Sequence, residues 1–421
     1  MAVLVHACLP DYDEPGYTGA RWLKVLGALV LLVSPHALGF ALCLGTSVYT
    51  LLFERDVLTQ SFLLACMAAA GLVAGLVGTP RAGRASLSVV TAVTAATYVL
   101  AALHKVNSDF FDPAVSCAQH AWAQVEALWF AWLPLHDPPR AWLGGLVVAW
   151  EALLAALLLR GSPWVWPLGL MFHLPLTVTL APAFGAVMLA GYAATLGPRT
   201  VVRWRRAYLA SRVHLGAAGA LAVVLDVLAQ GGLGPVDGRI KIFVAAALGV
   251  LALRAGPRSE PRPFGRAAVL AGALYFAHGL LPYTGLGFQH SAAMLSNLRI
   301  DPACHNSLVF PSGLTVRDPY VYVDEARIGA GQRPERERIL RETLWSVTAL
   351  FTAQANWCVP ELRPIALRGH WRGQSFEISD LCEPDALTRL PEAGWPPAGL
   401  LPGYQALQKN LPRACHGACV H

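Results

Sequence analysis

The chain has 421 residues, of which 55% are hydrophobic and only 14% are charged, and its mean hydropathy is +0.47. A soluble globular domain carries about 25% charged residues, so the composition argues against an ordinary soluble domain and predicts an integral membrane protein. The net charge of +6 falls entirely in residues 1–284, because residues 285–421 hold 13 Lys or Arg and 13 Asp or Glu. We expect that excess to reflect membrane topology, and we expect no nucleic-acid partner.

Apolar runs recur along residues 24–284, and several are as long as the roughly 20 residues that a membrane-spanning helix needs. They predict a polytopic α-helical membrane protein with about nine spans. The predicted spans are 24–53, 60–79, 85–104, 141–159, 163–181, 184–197, 208–229, 239–254 and 267–284. Residues 1–284 would form a transmembrane domain, and residues 285–421 would form a small extracytoplasmic α+β domain.

Positive charges are distributed unevenly between the predicted loops. If the amino terminus is cytoplasmic, the inside loops carry 13 Lys or Arg and the outside loops carry five. This asymmetry follows the positive-inside rule and predicts a cytoplasmic amino terminus and an extracytoplasmic, periplasmic C-terminal domain. The compact C-terminal part favours a bacterial inner membrane, although a eukaryotic secretory membrane has the same topology.

Six of the nine cysteines fall on the predicted outer face. They could form three disulfides with 15 possible pairings, and their clustering suggests an oxidising compartment such as a periplasm or a secretory lumen. A metal site in Cys415-His-Gly-Ala-Cys419 is disfavoured by its spacing, so we expect no metal. The candidate disulfide residues are Cys117, Cys304, Cys358, Cys382, Cys415 and Cys419.

The outside loop 105–140 is rich in tryptophan between polar residues, which predicts a helix lying at a membrane interface. In the C-terminal part, residues 320–323 predict a strand and 335–351 a helix with one apolar side. The segments 365–367 and 376–378 flank two glycines and predict a β-hairpin.

His104-Lys105 lies where an apolar run meets a polar loop. An ionisable side chain within a membrane is a candidate for function, although a lysine at a span end commonly extends to the interface. Partial burial disfavours the ammonium form, so Lys105 could act as a general base, with His104 as the nearest cation by sequence. Glu151 and His173 lie in adjoining predicted spans and could relay protons or orient a ligand.

Three segments resemble the vitamin K-dependent γ-carboxylase family, whose bacterial members are called horizontally transferred transmembrane domain proteins. The first segment is Tyr98 to Asp112, which contains the lysine, and the second is Phe172-His173 with Phe184 to Met188. The third is Ser291 to Arg299. The resemblance covers about residues 20–300, with Phe110-Phe111 where the family has tryptophan.

This resemblance implies a membrane-embedded, quinol-dependent carboxylase, a carbon–carbon lyase, in which Lys105 is the general base and His104 and His173 belong to the catalytic site. Reduced vitamin K or menaquinol would be the cofactor, with O2 and CO2 as co-substrates. The implied partners are the lipid bilayer, a lipid quinone and an exported peptide or protein. The residues expected to bind substrate or quinone are Glu151, Tyr98, Phe172, Phe184 and Arg299.

A non-catalytic membrane scaffold, or a quinone-binding partner for exported proteins, is the leading alternative. A transporter is the third hypothesis, and the absence of paired, interrupted repeat halves among the predicted spans argues against it. The enzyme hypothesis requires Lys105, Glu151 and His173 to converge on one pocket. The scaffold hypothesis tolerates a Lys105 side chain that points into lipid headgroups.

Overall fold

The structure is a computed structural model of the whole chain. The residues that it describes are 17–33, 37–53, 59–129, 137–179, 182–197, 264–288, 291–293, 295–315, 320–329, 334–390 and 411–417, with 199–200, 202–203, 206, 210, 318 and 419.

Helices dominate the first part of the described chain, and short strands appear only after residue 320. The helices are α1 (Tyr17–Val33), α2 (Ala37–Phe53), α3 (Thr59–Val77), α4 (Pro80–His104), α5 (Ser108–Phe111), α6 (Cys117–Trp129), α7 (Asp137–Leu159), α8 (Val165–Thr179), α9 (Pro182–Ala193), α10 (Arg266–Gly279), α11 (Pro334–Glu342) and α12 (Val347–Trp357). The strands are β1 (Val321–Ile328), β2 (Thr343–Leu344), β3 (Ile365–Trp371), β4 (Gln374–Ile378) and β5 (Leu411–Pro412).

Helix α4 is central and packs against α3, α7 and α10. It begins at Pro80, whose fixed φ suits a first helical turn, and the Thr79 side chain caps it by accepting a hydrogen bond from the Ala82 N–H. Its small Ala, Ser and Thr residues allow neighbouring helices to approach closely, and most of its second half is buried. Because α4 ends at His104, its buried C-terminus delivers Lys105 into the interior.

The prediction of about nine membrane spans is wrong. Among the described residues, two helices are long and apolar enough to cross a membrane, Pro80–His104 and Arg140–Leu159. The run 24–53 is divided between α1 and α2, which pack side by side. Runs 163–181, 184–197 and 267–284 form helices of 15, 12 and 14 residues. These helices are too short for a layer that requires about 20 residues; the runs 208–229 and 239–254 lie outside the described residues.

The predicted localisation is wrong for the same reason. The prediction depends on loops between nine spans: these loops placed the amino terminus in the cytoplasm, the C-terminal domain outside it, and the protein in a bacterial inner membrane. The two candidate helices found among the described residues do not provide those loops. In Pro80–His104, two-thirds of the most apolar window is buried inside the protein, so packing accounts for its apolar character.

The C-terminal part contains a three-stranded antiparallel sheet in the order β1-β3-β4. The hairpin predicted between 365 and 378 is formed by β3 and β4. Its two-residue loop is Arg372-Gly373, and both residues have positive φ. That combination is the type I′ pattern, whose twist matches that of the flanking strands.

The predicted helix 335–351 is two helices. Residues Thr343–Leu344 leave the helical path as β2 and pair with β5 near the carboxyl end of the chain. A new helix, α12, then begins after Ser346, whose side chain caps it by accepting a hydrogen bond from the Ala349 N–H. Long-range strand pairing therefore overrides a local apolar periodicity that favoured one helix.

The carboxyl end returns to the helical part and is fixed there covalently. Three disulfides join the six predicted cysteines: Cys117–Cys419, Cys304–Cys415 and Cys358–Cys382. The first closes a sequence separation of 302 residues. A shared apolar cluster also joins the loop after α10 to the C-terminal part, through Tyr283, Phe288, Ala293, Leu298, Ile300, Tyr320, Leu344 and Leu411.

Candidate functional site

An apolar pocket of about 400 Å³ lies between the end of α4 and helices α6, α7 and α8. Its volume falls within the 300–1,000 Å³ range of small-molecule sites, roughly. Lys105, Glu151 and His173 line it among many aliphatic and aromatic side chains. A few polar groups that converge in an apolar cavity are typical of a ligand site.

Lys105 is held at the end of α4 with its side chain 8% exposed. Its Nζ donates hydrogen bonds to Glu151 Oε1 at 3.0 Å and to the Ala101 carbonyl at 3.3 Å. The backbone N–H of Lys105 bonds to the Ala102 carbonyl instead of that of Ala101. The Ala101 oxygen is thus one of the carbonyls that a helix end leaves for another donor, and the ammonium takes it.

Glu151 approaches from the middle of α7. Only one of its oxygens is engaged by Lys105, and Oε2 is buried without a hydrogen-bond partner among the described residues. A buried, unpartnered carboxylate oxygen costs free energy. Glu151 therefore lines the pocket with one oxygen whose hydrogen-bonding capacity is unused among the described residues.

His173 lies on α8 and lines the same pocket as Lys105. Burial, followed by the positive charge of Lys105, lowers the pKa of His173 to about 3, so its imidazole is neutral at pH 7. Its Nε2 is hydrogen-bonded to the Tyr98 hydroxyl, which also contacts the Tyr192 hydroxyl. When the Tyr192 hydroxyl donates to the Tyr98 hydroxyl and the Tyr98 hydroxyl donates to Nε2, the ring proton of the neutral His173 lies on Nδ1.

Phe172 and Phe184 also line the pocket. Their ring centroids lie 5.1 Å and 5.8 Å from that of His173, so they fix the plane of the imidazole by packing. The Phe110 ring lies below Lys105, with its centroid 5.9 Å from Nζ. Aromatic faces of this kind suit a flat aromatic ligand.

Tyr98 and His104 belong to the site only indirectly, because neither lines the pocket. The Tyr98 hydroxyl is hydrogen-bonded to His173 Nε2, so Tyr98 contacts the pocket only through His173. His104 faces away, with Nδ1 3.0 Å from the Tyr283 hydroxyl and Nε2 2.9 Å from the Ser291 carbonyl. A carbonyl only accepts, so Nε2 carries a proton, and the Tyr283 hydroxyl can donate to Nδ1. His104 is therefore satisfied as a neutral imidazole, and the expectation of a cation beside Lys105 is corrected.

Arg299 does not line the pocket either. Its guanidinium makes two hydrogen bonds to Asp301, at 2.9 Å and 3.1 Å, and one to the Ala414 carbonyl. Both members of this ion pair are buried. The geometry therefore makes Arg299 a structural residue that anchors the returning carboxyl end, in place of the substrate-binding role expected from the sequence.

The third motif contributes a wall of the pocket through Ala292 and Leu295, both of which have positive φ. Non-glycine residues adopt that conformation only when the surroundings impose it. Here Asn107 donates to the Ser296 carbonyl, and the Asn297 side chain accepts from the Cys117 N–H. The motif and the loop after Lys105 are thereby locked together.

Several lining or supporting residues were not expected from the sequence. Tyr192 sits in an apolar helix with no local signal, whereas the tryptophan-rich pattern of loop 105–140 did single out the helix that supplies Trp122. Cys117 lines the pocket and is 1% exposed; the sequence identified it only as a disulfide candidate. Its position beside a ligand cavity depends on the fold.

No protein-family model, curated protein or solved structure matches this chain. The resemblance to the γ-carboxylase family therefore rests on the three motifs alone.

Proposed function

We propose that this protein is a quinol-dependent enzyme in which Lys105 acts as the general base on a reduced naphthoquinone. The observation that carries the proposal is the Lys105–Glu151 pair in the wall of an apolar pocket, with Glu151 Oε2 left without a partner among the described residues. Breaking a buried ion pair is costly, yet such a pair adds little stability by itself. A buried ion pair in the wall of a cavity therefore favours a role in acid–base chemistry over a role in stability.

Glu151 makes the lysine competent as a base. An ammonium cannot accept a proton, so Lys105 must first transfer one to Glu151 across the 3.0 Å hydrogen bond. Burial raises the pKa of the Glu151 carboxyl, which brings the neutral amine–carboxylic acid pair closer in free energy to the ion pair. The neutral amine can then accept the proton of a ring hydroxyl of the quinol.

His173 orients the ligand. Because its Nε2 is occupied by the Tyr98 hydroxyl, the Nδ1–H of the neutral ring remains to donate to a quinol oxygen. Phe172 and Phe184 pack against His173 in the wall of the pocket and would contact the aromatic rings of the quinol. The base and the orienting donor thus lie on different helices around one ligand.

Bound reduced vitamin K or menaquinol would, with O2 as the oxidant, supply a base strong enough to remove a γ-proton from a peptide glutamate, and the deprotonated glutamate would take up CO2. The contribution of the protein is to accept the first proton at Nζ and to keep water out of an apolar pocket. We assign the glutamate of an exported peptide as the acceptor because the motif resemblance implies it.

The test supplies purified protein with reduced menaquinone or vitamin K under O2 and follows epoxide by chromatography. General bases contribute about 10²–10⁴-fold, so Lys105→Met should lower the rate at least about 100-fold. Lys24→Met is the matched control, since Lys24 is 1% exposed but does not line the pocket. It should retain the wild-type rate.

Equal epoxide formation by wild type and Lys105→Met would overturn the proposal, as would its absence from folded protein that binds the quinol. The second result would instead favour a quinone-binding partner without catalysis. Carboxylation is measured separately, as labelled bicarbonate incorporated into a glutamate-containing peptide. Its dependence on quinol is the expected outcome.

A further inference from the structure

The Cys117–Cys419 disulfide lies in the wall of the same pocket that holds Lys105. Cys117 is 1% exposed and packs with Phe110 and Ala118, which also line the pocket. Cys419 is half-buried, in the last described part of the chain. The more buried cysteine of the pair therefore lines the ligand site, and its partner is half-buried.

The local structure would also support a reactive Cys117 if the disulfide were open. Cys117 begins the 13-residue helix α6, and the positive end of a helix dipole stabilises a thiolate. The Lys105–Glu151 ion pair lines the same pocket, so the ammonium group and its carboxylate partner both border the site. The other two disulfides lack this setting, because none of their cysteines lines the pocket.

We propose that Cys117 and Cys419 form a redox pair that reduces a naphthoquinone to its quinol in this pocket. The Cys117 thiolate adds to a ring carbon, forming a C–S bond, and a ring oxygen takes the displaced electron pair and a proton. The Cys419 thiolate then attacks the Cys117 sulfur, which forms the S–S bond and breaks the C–S bond. The ring keeps the electron pair, and the second thiol proton goes to the other ring oxygen.

The sum is one quinone and two thiols converted to one quinol and one disulfide. An external dithiol restores the reduced pair by exchange at Cys419, the less buried cysteine of the two. This inference rests on the proposed function for the identity of the ligand, and it gives the pocket its own source of quinol.

The first experiment is anaerobic and uses menadione as the quinone. Full-length protein is reduced with dithiothreitol, desalted and mixed with menadione, and the quinol is measured by absorbance. Wild type should form about one more equivalent of quinol per chain than Cys117→Ser/Cys419→Ser. Cys358→Ala/Cys382→Ala, which removes the remote disulfide, should match wild type.

The second experiment traps the adduct. Cys419→Ser leaves Cys117 without a resolving thiol, so the C–S bond to menadione should persist as a mass increase on the peptide that contains Cys117. Cys415→Ser is the matched control, because it frees Cys304, which is also buried, at 8% exposure, but does not line the pocket. We expect at least a tenfold faster adduct at Cys117 than at Cys304.

Equal quinol yields from wild type and Cys117→Ser/Cys419→Ser would overturn the inference, and so would equal adduct rates at the two cysteines. Neither result affects the proposed function, whose epoxide assay supplies quinol that is already reduced. Conversely, adduct formation at Cys117 in a protein that forms no epoxide would support the redox pair and refute the proposed role of Lys105 as a base.

Discussion

Separating the stability of the Lys105–Glu151 pair from its function is the sharpest test of the site. The perturbations are Lys105→Met, Glu151→Leu and the double variant, which replace each charged group by an apolar one of similar size. At 3.0 Å and an effective dielectric constant of about 20, the attraction is about 5.5 kcal/mol. Desolvation of both groups offsets most of it.

Each single variant leaves one buried charge without its partner, so we expect a loss of about 3–5 kcal/mol in the free energy of unfolding. The double variant should lie within about 1 kcal/mol of wild type, because it removes both charges together. A double-mutant cycle then gives a coupling of several kcal/mol. Both single variants and the double variant should be inactive in the epoxide assay.

The assay is urea unfolding followed by tryptophan fluorescence, with the disulfides kept oxidised. Lys105→Met should be less destabilised at pH 5 than at pH 8. Its unpaired carboxyl binds a proton more tightly in the folded than in the unfolded state, so stability falls as pH rises. A coupling below about 0.5 kcal/mol would refute the buried pair, and an active double variant would refute its catalytic use.

Four further outcomes follow from the same geometry. Gly144→Ala should lower the free energy of unfolding by about 1–3 kcal/mol and weaken menadione binding, because the new Cβ would lie 2.6 Å from the Phe110 carbonyl oxygen. The control is Gly145→Ala, where a Cβ would meet open space, and it should change neither the thermal midpoint nor the affinity for menadione. Tyr98→Phe should raise KM for quinol more than it lowers kcat and should alter the His173 tautomer seen by ¹⁵N NMR, whereas an unchanged tautomer would contradict the hydroxyl chain. Arg299→Lys should lower the free energy of unfolding by about 1.5–3 kcal/mol, because the bidentate hydrogen bonds to Asp301 are lost, and should leave KM for quinol unchanged. Arg338→Lys, at an exposed ion pair, should have no measurable effect. In the folded protein the pKa of His173 is lowered to about 3, whereas in the unfolded chain the residue binds a proton near pH 6.5. Protonation of the unfolded state therefore lowers the free energy of unfolding as pH falls below about 6.5. Proton NMR of the folded protein should show no titration of His173 between pH 5 and 8.

Local sequence reasoning identified much of the site. Lys105, Glu151, His173, Phe172 and Phe184 were all named from motifs or from unusual polarity, and all five line one pocket. Polar groups in apolar helices are few, and the free-energy cost of burying them makes each one informative. The hairpin around Arg372-Gly373 was equally accessible, because its turn chemistry is local.

Other features could not be read from local patterns. Arg299 lies in a family-like motif, yet its partners are Asp301 and the distant Ala414 carbonyl. The six cysteines allowed 15 pairings, and only the return of the carboxyl end selected one. The membrane topology failed because an apolar run does not reveal whether its helix is continuous or faces lipid or protein.

Composition, helix-forming runs and the residue types available for acid–base and thiol chemistry can all be read from the sequence, because they depend on side chains and their near neighbours. Only the folded chain shows which runs break into short packed helices, which carboxylate contacts Lys105, and which cysteine lines the pocket. Each of those facts depends on contacts between residues far apart in the chain, and such contacts are set by packing.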